Sequence, residues 1–183
     1  MLVKDIIIKS CNFICQDELA NKLKENQDLS ELEEKMVADL VDKFNLTREE
    51  IASEYQPILK REEFEVKNFK LPFSSFSSSP LQIFSVKDKL GRNVNYKIFD
   101  DYIFVCGKNV EVIFSTLALP LSIDDEFTTT LPERVYAYGT AREYYFSNSH
   151  YDDANMWEGR FKGSLEILLR RQSQVVLPKR RWL

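Results

Sequence analysis

Cys11 and Cys15 stand four residues apart, a spacing that would put two thiols on one helix face and, with further ligands, suit a zinc ion. The third cysteine, Cys106, and the one histidine, His150, are distant in sequence. The ligand set therefore falls short, and no metal is expected. Small buried apolar side chains are the better account of these thiols, and an odd count without dense spacing suits a reducing compartment. Catalysis by an imidazole would have to use His150. It sits just before Asp152 and Asp153, between two helical stretches, which suits a helix start better than a general base with placed partners. Asp100-Asp101 and Asp124-Asp125-Glu126 could attract a cation, but they read as turn and loop chemistry. Nucleophile elbow, phosphate loop and dinucleotide fingerprint are all missing, and Gly107-Lys108 lacks the glycine-rich lead of a phosphate site. The expectation is a protein that is not an enzyme and holds no cofactor.

Binding chemistry is concentrated elsewhere. The last eight residues, Val176-Leu177-Pro178-Lys179-Arg180-Arg181-Trp182-Leu183, are basic and carry a large aromatic. Pro178 blocks helical continuation. Trp and Arg are the side chains that make binding hot spots, so Leu177, Pro178, Lys179, Arg180, Arg181, Trp182 and Leu183 are the candidate partner-binding residues. The three cations could also neutralise phosphates, and the segment could instead fold back on its own domain. Between Asp17 and Glu50 there are eleven acidic residues against five basic ones, whereas from Arg170 onward there are five basic and none acidic. An acidic front and a basic end suit head-to-tail contact between copies; a solvated helix face and a helix end matched to its dipole would look the same.

These residues must be carried by one domain, or by a small domain with an insertion: 183 residues, 44% hydrophobic, net charge −4. The negative balance argues against a general nucleic-acid binder. Ile6-Ile7-Ile8 is too short and too closely flanked by Lys4, Asp5 and Lys9 to be a signal peptide or membrane span. The spacing of Val3, Ile7, Cys11, Ile14 and Leu19 predicts a helix over about 3–24, although the isoleucine triplet also allows a strand. Ser30-Glu31-Leu32-Glu33 has the form of a capping box, followed by Leu32, Met36, Val37, Leu40, Val41 and Phe44 at helical spacing. Thr47-Arg48-Glu49-Glu50 predicts a second box opening a short helix to Tyr55, ended by Pro57. From 62 to 121 the apolar residues alternate, with turns at Leu90-Gly91-Arg92-Asn93, Asp100-Asp101 and Gly107-Lys108-Asn109, which predicts an antiparallel meander of four to five strands. The serine-rich run 72–80 reads as a loop. A third box, Thr130-Leu131-Pro132-Glu133, opens a helix carrying Val135, Tyr138, Ala141 and Tyr145. The last helix carries Trp157, Phe161, Leu165, Leu168 and Leu169. The fold class expected is α+β: a helical bundle from 1–60 and 130–175, an inserted antiparallel β lobe over 61–129, and an extended docking tail over 176–183.

Leu131-Pro132-Glu133 opening a helix with Ala141-Arg142-Glu143-Tyr144-Tyr145, then Tyr151-Asp152-Asp153-Ala154 and Trp157-Glu158-Gly159-Arg160-Phe161, resembles the late helical segment of podovirus-type head-to-tail adaptor proteins. Leu177-Pro178-Lys179-Arg180-Arg181-Trp182 is similar to the basic, Trp-containing C-terminus of several of them. The helix–β–helix order resembles the tail tubular, gatekeeper-type ring proteins. The Lys-, Asn-, Phe- and Ile-rich composition is of the kind met in crAss-like phages. By motif the resemblance covers roughly the last third of the chain; elsewhere it rests on element order.

The resemblance implies a structural virion protein, assembled in the host cytoplasm and located at the portal vertex. It implies a homo-oligomeric ring, commonly of twelve copies, joining the portal protein to neighbouring tail proteins and extending the channel through which DNA passes without specific binding. Residues 177–183 would reach a groove on the portal or an adjacent subunit, with Trp182 as the buried anchor and Lys179, Arg180 and Arg181 paired to acids. The β lobe would face the next tail component through the 72–80 loop. Glu31, Glu33, Glu34 and Asp39 are candidates for an acidic channel lining, and ring closure requires a heterologous interface whose rotation closes. The competing reading is a non-viral nucleic-acid-binding or regulatory adaptor that uses the same basic tail.

Overall fold

α1 (Val3–Phe13) buries Val3, Ile6, Ile7 and Cys11 completely. Burial outweighs the weak helix propensity of the isoleucines, and the segment is helical throughout. The single helix expected over 3–24 is instead two, because α1 ends in a left-handed turn at Cys15 (φ 59°) before α2 (Asp17–Glu25) begins. The Cys15 amide donates to the Asn12 carbonyl and the Gln16 amide to that of Cys11, the two bonds of a Schellman cap. Asn26 ends α2 in the same left-handed conformation, with the Gln27 amide donating to Lys22 O. The structure, a computed structural model, describes residues 1–172; the expected docking residues 177–183 lie outside the described part.

α3 (Glu31–Glu50) starts as its sequence predicts. The Ser30 amide donates to the Glu33 carboxylate at 2.8 Å, and the Glu33 amide reaches Ser30 Oγ at 3.4 Å. The second expected box does not exist: α3 runs through Thr47 without a break, followed by a single π turn at Ile51–Tyr55. Thr47 is fully buried, and its hydroxyl donates to Lys43 O within the helix. α4 (Glu133–Ser147) corrects the third box as well, since Pro132 occupies the N-cap position without a side-chain cap bond. α4 ends in another Schellman pair, the Ser149 amide to Phe146 O and the His150 amide to Tyr145 O, with Ser149 at φ 61°. His150 then precedes α5 (Tyr151–Gln172), and its carbonyl accepts from Ala154.

The chain divides into two units, Met1–Arg48 with the residues from Pro120 onward, and Glu49–Leu119. In the helical unit α4 buries Val135, Tyr136, Ala137, Gly139, Thr140, Ala141 and Arg142. α5 buries Ala154, Trp157, Phe161 and Leu165. Trp157 stacks on Phe13 at 4.8 Å and lies 5.5 Å from Tyr138. Gly139 marks the closest approach of α4 to α3: a Cβ there would stand 2.2 Å from Thr47 Cγ2 and 2.9 Å from its Oγ1.

The second unit holds six strands in two three-stranded antiparallel sheets. β1 (Ile58–Glu65), β6 (Asn109–Thr116) and β3 (Pro80–Asp88) form one sheet in the order β1-β6-β3; β2 (Lys70–Pro72), β5 (Tyr102–Val105) and β4 (Tyr96–Ile98) form the other in the order β2-β5-β4. The expected meander is therefore overturned. Asp100-Asp101 joins the paired strands β4 and β5, and the segments flanking Leu90–Asn93 bond across that turn, but Gly107-Lys108 carries the chain from one sheet to the other. The sheets share one core of Leu71, Phe76, Ile83, Val86, Ile103, Val105, Val110, Val112 and Phe114. The architecture is α+β, with helices from the N- and C-terminal parts and antiparallel sheets between them.

Two outcomes follow. Gly139→Ala will destabilise the protein by about 1–3 kcal/mol, against roughly 1 kcal/mol of helix-propensity gain, and Thr47→Ala will relieve the clash in the double variant. Urea melts of the four-member cycle read this; additive effects would refute it. Cys15→Gly will raise the unfolding midpoint, because a left-handed L-residue costs about 1–2 kcal/mol and part of that is returned to the chain's entropy.

Candidate functional site

The acidic front of α3 was the first candidate surface, and three of its four named carboxylates already have lysine partners. Glu31 pairs with Lys35 and Asp39 with Lys43, both at 2.7 Å along the helix, and Glu33 pairs with Lys22 of α2 at 2.7 Å. Glu34 forms no ion pair with a described residue and is exposed. Glu33 is held furthest from ordinary behaviour: the hydrogen bond from Lys22, then those from the Ser30 amide and hydroxyl, bring its pKa down to about 2. Its first task is thus to close the start of α3.

Beside this front lies a shallow groove of about 430 Å³, floored by Val37, Ala38, Val41, Leu121 and Ile123 and edged by Asp42. The groove has a fixed wall. Asn45 donates to Leu121 O at 2.9 Å and accepts from the Leu121 amide at 2.9 Å, so one amide side chain holds the backbone at Leu121 as a strand partner would. Glu34 lies one turn before Ala38 on the same helix face, and Asp124 directly follows Ile123. The helical unit thus presents an apolar trough with the Asp42 carboxylate on its rim and Glu34 and Asp124 close to its lining residues along the chain. Sequence reasoning named the acids but missed the trough, because its floor depends on the Asn45–Leu121 clasp between residues 76 apart in the chain.

At the other end of this unit, Arg142 is buried and bridges Glu143 and Glu158, the latter at 2.8 Å, with its guanidinium 4.8 Å from the Phe161 ring centre. Burial pushes the Glu158 carboxyl up, but hydrogen bonds from Lys162 and Arg142 outweigh it and hold the group below its usual value. Such an ion cluster fixes how α4 and α5 pair.

In the second unit the serine-rich loop is held at several points. Phe76 is buried 4.6 Å from the Phe64 ring and edge-on to Phe114 at 4.9 Å. Glu62 accepts from the Ser77 amide at 3.1 Å and from its hydroxyl, and Lys60 donates to Ser78 Oγ at 3.0 Å. Phe73, Pro80, Leu81, Ile83 and Ile98 line a small apolar groove next to this loop.

The cysteines part company. Cys11 is buried, which pushes its thiol up to about 11, whereas Cys15 and Cys106 are exposed, against the expectation of buried side chains. Cys15 is outside because it forms the turn that ends α1. Among the described residues no group of three His, Cys, Asp and Glu side chains could hold a metal ion, and no helix is long and apolar enough to cross a membrane. His150 is exposed, with the Tyr145 ring 6.1 Å away. No protein-family model matches the chain, and no curated protein is similar enough in sequence to count as a relative.

A titration tests the Glu33 cluster. The carboxylate should titrate near 2 by side-chain NMR, and Lys22→Ala should raise the midpoint towards the ordinary value of about 4.3. A depressed folded-state value means that this group's stabilisation is present above the unfolded pKa and fades as pH falls from about 4 towards 2. A midpoint indifferent to Lys22 would assign the shift to the cap alone.

Proposed function

We propose that this chain is a structural subunit of a phage head-to-tail connector, forming a homo-oligomeric ring that joins the portal to the tail and extends the DNA channel. The observation that carries the reading is the apolar surface left in solvent on each unit. α5 exposes Tyr151, Met156 and Ile167, and the second unit exposes Leu81, Phe84, Ile98 and Phe99, although each unit buries its own core. Such groups, where they adjoin, form the kind of surface a ring subunit needs for its neighbours.

Three further features support a ring. The α+β order, helices around an antiparallel β segment, is the one the resemblance calls for. The acid-rimmed trough on α3 complements the basic residues 170–183, so copies would meet through two different surfaces, the heterologous arrangement that closes into rings. In that assembly Glu34 is the best candidate of the four acids for a channel-facing charge, because Glu31, Glu33 and Asp39 are already paired. Trp182 with Lys179, Arg180 and Arg181 would supply the anchor and cations for docking.

Mass photometry of the full chain with the portal oligomer encoded in the same genome tests this. The expected result is a defined ring-plus-ring mass, lost when Arg180→Glu, Arg181→Glu and Trp182→Ala are combined. Failure to bind the portal or any tail component of that genome would overturn it.

A further inference from the structure

The Phe104 face of the β2-β5-β4 sheet is a second surface, which shares only Phe99 with the exposed apolar groups behind the connector reading. Along β5, Ile103 and Val105 are buried while Tyr102 and Phe104 turn to the opposite face. Phe104 stands in cross-strand register between Lys70 of β2 and Lys97 of β4. The Phe69 ring lies 5.9 Å from Phe104, the Phe99 ring stacks on Tyr102 at 4.9 Å with planes 15° apart, and the Lys70 ammonium sits 4.8 Å from the Tyr102 ring centre. Aromatics and lysines therefore alternate across one sheet face.

Two features point to what covers it. Lys67, Lys70, Lys97 and Lys108 are all exposed, and none pairs with a described carboxylate. Lys67 bridges Lys70 across the turn, and Lys108 O accepts from the Val66 amide, which brings four cations to this end of the sheet. The nearest acids in sequence are Glu65, two residues before Lys67, then Asp100 at the β4–β5 tip and Glu111 of β6. The second feature is Phe69 itself. It follows Asn68 in the left-handed region, at φ 60° and 54° respectively, where a bulky side chain is strained. The tight turn closed by the Lys70 amide on Lys67 O at 3.0 Å needs positive φ at both central positions, and it holds the phenyl ring 58% exposed.

We propose that this face binds single-stranded nucleic acid, with bases stacked on Phe69, Phe104 and the Phe99–Tyr102 pair and phosphates met by Lys67, Lys70, Lys97 and Lys108. Flat rings accept any base face, and unpaired ammonium groups supply the sequence-independent attraction to phosphate. The chain's overall negative charge would confine that attraction to this local cluster. The inference does not rest on the connector reading and uses none of the residues 173–183.

The test is fluorescence anisotropy with the full chain and a labelled oligothymidylate of about 12 nucleotides, with the matching duplex as competitor, over a salt series. Binding should prefer the single strand. Phe104→Ala should weaken it roughly tenfold or more. Lys70→Glu with Lys97→Glu, both exposed and therefore compatible with folding, should lower the salt slope by roughly one per lysine. Far-UV circular dichroism melts confirm that each variant is folded. Absence of binding at low salt, equal affinity for the duplex, or binding that survives these changes and disappears on Arg180→Glu with Arg181→Glu would each overturn the proposal. Portal binding is a separate readout, so either idea can fail without the other.

Discussion

The helical unit depends on one close approach, that of Gly139 in α4 to Thr47 in α3. No side chain larger than hydrogen fits at position 139 while Thr47 keeps its place. The glycine costs helix propensity, and what it gains is a crossing at which Phe44 comes within 6.0 Å of the Tyr136 ring, with Phe127 5.7 Å from Phe44 and edge-on to Tyr136. Thr47 Oγ satisfies itself on Lys43 O, so the buried hydroxyl asks nothing of α4. Small residues on its other faces, Ala137, Thr140 and Ala141, are buried too, consistent with a helix surrounded by others.

Around this crossing, orientation is set by charge as well as by shape. Arg142 lies on the same helix one turn past Gly139, buried, and its guanidinium is shared between Glu143 and Glu158. A buried cation earns no stability by itself, but without its partners it would be strongly destabilising, so the pairing of α4 with α5 is discriminated against alternatives that leave it unpaired. The outer lysine, Lys162, continues the same network at 2.6 Å from Glu158.

Legibility in the sequence followed the range of the interaction. The Ser30–Glu33 box could be read because its partners are three residues apart, and the buried stripe Trp157, Phe161 and Leu165 because helical spacing alone produces it. Thr47-Arg48-Glu49-Glu50 has the same letters as a capping box, yet Thr47 is interior, since the tertiary contact with Gly139 decides the helix there. The ends of α1 and α4 were hidden for another reason: Cys15 and Ser149 take the left-handed position that a reader looks for in glycine. Strand existence was visible in the alternation at Val110, Val112 and Phe114, but strand partnership was not. β1 pairs with the last strand, β6, and the turn at 107–109 passes from one sheet to the other. The α3 trough stayed invisible because Asn45 and Leu121 meet only through the fold.

The distribution of charge separates the two units more sharply than composition does. In the helical unit several lysines are matched by local acids, as Lys35–Glu31 and Lys43–Asp39 show at helical i,i+4 spacing; such pairs contribute only a few tenths of a kcal/mol each, and over 17–50 acids stay in excess of bases. In the sheet, register decides instead. Glu63 is opposite Glu111, which is opposite Lys87, and Arg61 reaches Glu111 at 3.7 Å, so the β1-β6-β3 face is mixed in sign. The row Lys70–Phe104–Lys97 has no acid in it at all. Placing two cations either side of an aromatic gains a cation–π contact at Tyr102 but leaves their charge unneutralised. Lys67, Lys70, Lys97 and Lys108 stand in solvent without an ion pair to a described residue, and a ligand bearing phosphates would supply the opposite charge.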